Sequence, residues 1–167
     1  MISVNKADMQ RVCQVPLRVL EAFDGTIERK RNGERLKIPI HSAVGVKIGH
    51  VLFDCHSGRM RTVVDDNGAV FNIHRALCTF GDCELIITED VFDCMYMWQG
   101  AQRRVVSLMG EVCSAAQYRT IFSNMCPSRI RYVLSGHVLH GPGRLATLEA
   151  LAKAAYLHIE TAVRANV

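Results

Sequence analysis

Between Glu84 and Leu151 the chain writes a short apolar run, a turn of polar or small residues and a helical pattern three times in succession. The runs are Glu84-Leu-Ile-Ile-Thr-Glu89, Val105-Val-Ser-Leu-Met-Gly110 and Arg129-Ile-Arg-Tyr-Val-Leu-Ser135. Strands that alternate with helices cannot be joined as hairpins, so the pattern predicts a parallel sheet with crossover helices. Ligands of such sheets gather beyond the carboxyl ends of the strands. Here those ends carry Glu89, Gly110 and Ser135-Gly136-His137.

The preceding half reads differently. Asn5 to Phe23 carries a loose helical face of Met9, Val12, Val15 and Val19, which Pro16 breaks or kinks. Glu28 to Lys37 is a basic hairpin turning at Asn32-Gly33, with Arg29, Lys30, Arg31 and Arg35 around its tip. These four side chains are candidate phosphate contacts; a solvated hairpin, its charge diluted by Glu28 and Glu34, is the alternative. Leu36 to Ile40, alternating around Pro39, reads as an edge strand. Val44 to Phe53 and Arg59 to Val64 follow as strands, and Ala69 to Ile73 as another after the Asp65-Asp-Asn67-Gly68 turn. Residues 36–73 therefore read as an antiparallel meander. His74, Cys78 and Cys83 fit no common zinc spacing.

In the second half, Asp90 to Gln99 is predicted helical, with Phe92, Met95, Tyr96 and Trp98 buried. Ser114 caps the next helix, which runs toward Asn124. A last helix is expected from about Arg144 to Arg164, with Leu148, Leu151, Ala155, Ile159 and Ala162 on one stripe. No further strand is read after it.

The length of 167 residues allows one domain, or one with a small companion, and 49% apolar residues exclude a disordered chain. A net charge of +4 permits contact with nucleic acid without requiring it. Seven cysteines without regular spacing read as reduced thiols of a cytoplasmic protein. No apolar run approaches the roughly 20 residues that span a bilayer, and no signal peptide is visible before Gln14.

The stretch from Glu84 resembles a toprim domain of the bacterial and phage primase type. That family's first strand ends in Glu-Gly-x-x-Asp, matched here by Glu89 and Asp93 with Asp90 in place of the glycine. Gly110 matches the glycine after the second strand, and Ser114-Ala-Ala-Gln-Tyr-Arg-Thr-Ile-Phe122 the following helix. The Asp-x-Asp that ends the family's third strand falls on Ser135-Gly136-His137. Upstream, Leu36-Lys-Ile-Pro-Ile-His-Ser-Ala-Val-Gly-Val-Lys-Ile-Gly49 is similar to the segment that precedes toprim in primases.

The resemblance implies an α/β fold: a toprim-like three-layer parallel sheet with crossover helices, preceded by a small antiparallel β meander. It divides the chain into a β-rich unit over 1–80 and a toprim-like unit over 81–167. It implies a degenerate metal site of Glu89, Asp90, Asp93, Ser135 and His137, with Glu89 the residual catalytic position. Magnesium is a hard ion that wants oxygen ligands, and nothing acidic comes from the third strand. No metal or other cofactor is therefore expected. His137 and His140 with Glu89 are a candidate transition-metal set, and a carboxylate favouring the helix dipole is the structural alternative for Glu89. The expected function is a pseudoenzyme, a primase-like module that binds nucleic acid or a protein of replication, transcription or defence, of the kind phages and mobile elements carry. The alternatives are a divergent magnesium-dependent primase or nuclease using Glu89, Asp90 and Asp93, and a structural subunit of a larger nucleoprotein complex.

Overall fold

A computed structural model describes residues 15–30, 33–79, 84–100, 104–135 and 141–161. The expected helix before Val15 lies outside the described residues; α1 (Leu17–Ala22) begins directly after Pro16, whose fixed φ suits a helix start. Four antiparallel strands follow: β1 (Thr26–Lys30), β2 (Gly33–His41), β3 (Lys47–Asp54) and β4 (Met60–Val64), in spatial order β1-β2-β3-β4. Register Lys30↔Gly33 makes β1 and β2 a hairpin, and Gly33 has φ 120°, a conformation L side chains rarely adopt.

β2 is not an edge strand, as Pro39 suggested, but lies between β1 and β3. The conflict is local: β1 reaches only as far as Lys37, so Pro39 is opposed by His50 of β3 alone. Alternation then does what the sequence implied: Leu36, Ile38 and Ile40 of β2 and Val51 and Phe53 of β3 are buried on one face.

After β4 the chain corrects a second expectation. Residues 69–73 are not a strand. Phe71 makes one isolated antiparallel bridge to Ser107, Asn72 takes φ 67°, and Ile73 opens a short helix, α2 (Ile73–Leu77). The apolar residues Val70, Phe71 and Ile73 are buried there without a ladder.

The second half is a four-stranded parallel sheet in order β6-β5-β7-β8. Its elements are β5 (Glu84–Thr88), α3 (Val91–Gln99), β6 (Val105–Ser107), α4 (Ala115–Asn124), β7 (Arg129–Leu134), α5 (Pro142–Ala154) and β8 (Tyr156–Thr161). The sheet is covered on both faces, which is why β5 is almost continuously apolar. Leu85, Ile87, Val106, Ile130, Tyr132 and Leu134 pack with Ile121 of α4 and Leu148 and Leu151 of α5. Ile86, Val105 and Val133 point the other way, onto Val91, Phe92 and Met95 of α3 and into the meander's core of Leu36, Ile38, Val51 and Phe53. Phe53 meets Phe92 edge-on, with centroids 5.0 Å apart.

The expected helix from Arg144 to Arg164 is two elements. α5 ends at Ala154, and Tyr156-Leu-His-Ile-Glu-Thr161 pairs in parallel with β7 as a fourth strand. Leu148 and Leu151 keep their place in the core, whereas Ile159 is 41% exposed on the strand. In α3, Phe92 and Met95 are buried as expected, but Tyr96 is 44% exposed. No described helix is long and apolar enough to cross a membrane.

Candidate functional site

β5 and β7 are adjacent and parallel, so the residues after them, Glu89 and Ser135, meet at one end of the sheet. The backbone N–H of Ser135 donates to Glu89 Oε2 at 2.8 Å. The Ser135 hydroxyl donates to Asp93 Oδ2 at 2.9 Å. Ser135 thus joins the two carboxylates matched to the family's Glu-Gly-x-x-Asp. Glu89 precedes α3. Asp93 lies in the first turn, where its charge favours the helix dipole. Asp90 is the N-cap, its Oδ1 accepting from the N–H of Phe92 at 2.6 Å and of Asp93 at 3.2 Å. The dipole role considered for Glu89 therefore belongs to its two neighbours.

Glu89 has a different partner. The guanidinium of Arg144, at the start of α5, grips it with two bonds: Nε to Oε1 at 2.6 Å and Nη2 to Oε2 at 2.8 Å. Both side chains are buried, 4% and 3% exposed. Tyr132 Oη, from β7, donates to Oε1 at 3.3 Å. Each carboxylate oxygen of Glu89 thus accepts two hydrogen bonds, and a carboxylate has about four acceptor positions. The site's titration follows from this. Hydrogen bonding to Glu89 holds the Arg144 pKa above its ordinary value. Burial, with the Glu89 charge next, pushes the Tyr132 phenol well above its usual range, so it stays a donor.

Arg144 Nη2 also lies 2.8 Å from Glu111 Oε1, after β6. The guanidinium is therefore shared by carboxylates from two strand ends. The β6 turn that carries Glu111 is built around Ser107, whose hydroxyl donates to the Glu89 carbonyl at 3.2 Å and accepts from the N–H of Met109 at 3.0 Å. Met109 has φ 59°. The left-handed residue of this turn is thus Met109 and not Gly110, where an added Cβ would meet nothing within 4 Å. Thr147 of α5 completes the turn, its hydroxyl accepting from the N–H of Cys113 at 2.8 Å.

The structure brings together Glu89, Asp90, Asp93 and Ser135; His137 and His140 lie outside the described residues. Sequence reasoning missed Arg144, Glu111 and Tyr132. One signal for Arg144 was present: a cation in the first turn of a helix opposes the dipole and asks for an acidic partner. Magnesium, which the toprim resemblance brings to mind, does not fit the described residues. Their His, Cys, Asp and Glu side chains form no group of three that could hold an ion, and the acceptor positions of Glu89 are filled by donors, two of them from a cation.

The basic hairpin is a separate feature. Arg29 Nε is 3.2 Å from Glu34 Oε1 and Arg35 Nε is 3.9 Å from Asp54 Oδ2, all partly exposed. Lys30 closes β1, and Arg31 lies outside the described residues.

Comparison with solved structures places the architecture. The DnaG catalytic core superimposes with a TM-score of 0.71 at 12% identity, covering 97% of this chain and 66% of that one. The DnaG primase catalytic domain bound to single-stranded DNA gives 0.67 at 13% identity, over 97% of this chain and 67% of that one. The chain has the primase-type toprim fold. The primase fragment of the bacteriophage T7 primase-helicase gives 0.64 at 15% identity, over 93% and 64%. The chain thus spans about two thirds of the length of these primase structures. No family model and no curated protein matches the sequence.

Proposed function

We propose that this chain is a catalytically degenerate primase-like toprim protein that binds nucleic acid without a metal ion. The observation that carries the reading is the Glu89 carboxylate, whose four acceptor positions are taken by Arg144, Ser135 and Tyr132. A toprim glutamate must offer oxygen to magnesium or take a proton from a reacting hydroxyl. One clamped in a buried guanidinium fork does neither.

Nucleic acid is favoured as the ligand by the net charge of +4 and the basic hairpin tip. The likeness to a primase domain bound to single-stranded DNA supports the same choice. The test is fluorescence anisotropy with labelled single-stranded DNA, single-stranded RNA and duplex DNA, in EDTA and in magnesium. Equal binding in both buffers is expected. Binding that requires magnesium would overturn the metal-free reading, and absence of binding to all three would move the function to a protein partner of replication, transcription or defence.

A further inference from the structure

The site invites a question about charge. Glu89 and Glu111 end adjacent strands of one sheet, and both reach the same atom, Arg144 Nη2, at 2.8 Å. Two carboxylates converging this closely repel unless a cation lies between them. Here the cation is a side chain. It is almost fully buried, while Glu111 is 61% exposed, so the acidic pair opens to solvent on the Glu111 side.

We infer that Arg144 is a built-in cation: it occupies, in the Glu89–Arg144–Glu111 triad, the charge position a divalent ion would otherwise fill, and it is what closes this acidic pair to metals. The inference rests on the metal-free reading above and assigns that property to one residue. The chemistry of the competing ligand follows from the donors. Both arms are carboxylates, so the ion excluded is a hard divalent cation. Such an ion is held by one or two carboxylates and keeps several waters. With Arg144 made neutral, Glu89 regains two acceptor positions while Ser135 and Tyr132 still orient it. Glu111 then supplies the second carboxylate from the open side.

The experiment is Mn2+ titration, read by the electron paramagnetic resonance of free ion, on wild type, Arg144→Lys, Arg144→Met and the double variant Glu89→Gln/Arg144→Met. Wild type and Arg144→Lys are expected to take up no Mn2+ at millimolar concentration. Arg144→Met is expected to bind Mn2+ at least about tenfold more tightly. At Mn2+ tenfold above its Kd, its Tm should rise by about 3–6 °C. The double variant, which keeps Glu111 but lacks the Glu89 charge, should lose that uptake. If Arg144→Met does not fold alone, circular dichroism in Mn2+ is expected to recover the folded state. Arg144→Met that shows neither uptake nor metal-dependent folding would overturn the inference and leave the metal-free reading intact. Uptake unchanged in the double variant would also overturn it, by assigning the ion to other groups. Uptake by wild type as tight as by Arg144→Met would overturn both.

Discussion

Arg144 and Glu89 set the stability of the site as well as its chemistry. Removing one member of a buried ion pair strands the other charge away from water, at a cost of about 3–5 kcal/mol. Arg144→Ala should therefore lower the unfolding free energy by that much, read as a reduced midpoint in urea with an unchanged slope. Glu89→Gln/Arg144→Met, which strands no charge, should lose much less. Two further side chains give a pH dependence. His41 and His74 pack with ring centroids 4.6 Å apart, and the Nδ1 of each is buried with no hydrogen-bond partner among the described residues. Burial, then the Arg75 charge, lowers both pKa values, that of His74 to about 4. Lys47 and His41 add to the depression, and Asp24 opposes it at both rings. A base with a depressed folded pKa favours the native state only where the unfolded chain does not bind the proton. Stability should hold above pH 6.5 and fall as the pH drops from there toward about 4. Thermal melts across that range should show a shallower fall in His74→Phe. The meeting of Glu89 with Ser135 is legible in the sequence, because each ends a recognisable strand of one parallel sheet. What Glu89 holds is not, because Arg144 lies 55 residues away and only the packing of α5 selects it.

The elements whose ends carry their own signals are the ones sequence reasoning places well. Ser114 forms a capping box, its hydroxyl accepting from the N–H of Gln117 and the Gln117 side chain accepting from the N–H of Ser114, both at 3.0 Å. Ser114→Ala should cost about 0.5–2 kcal/mol, seen as a reduced midpoint in urea with an unchanged slope. β8 shows the converse. Leu148, Leu151, Ala155 and Ile159 keep a helical spacing through the break between α5 and β8, and no glycine or proline marks it. Pairing along β7, from Arg129↔Tyr156 to Leu134↔Thr161, decides the strand, and that is a tertiary fact. The segment 69–73 fails for the same reason in reverse: its short apolar run reads as a buried strand, but among the described residues only Phe71 finds a strand neighbour, at Ser107.

At the scale of the whole molecule, two sheets share one core, in which Phe53 of the meander and Phe92 of α3 are in direct contact. Such a body presents its hairpin and its strand ends on a common frame. If nucleic acid binds through the hairpin, affinity should fall with salt at a log–log slope of about −0.9 per duplex phosphate contacted. Alanine at Arg29, Lys30, Arg31 and Arg35 together should flatten that slope; binding unchanged in this variant would exclude the patch. The central claim, a primase-type toprim fold whose glutamate serves an internal arginine and not a metal, meets its most direct test in one assay. Primer synthesis and DNA nicking are measured for wild type beside Glu89→Ala, with magnesium and with manganese. The account predicts no metal-dependent product from either protein. Product that appears with wild type and metal, and disappears in Glu89→Ala, would contradict it.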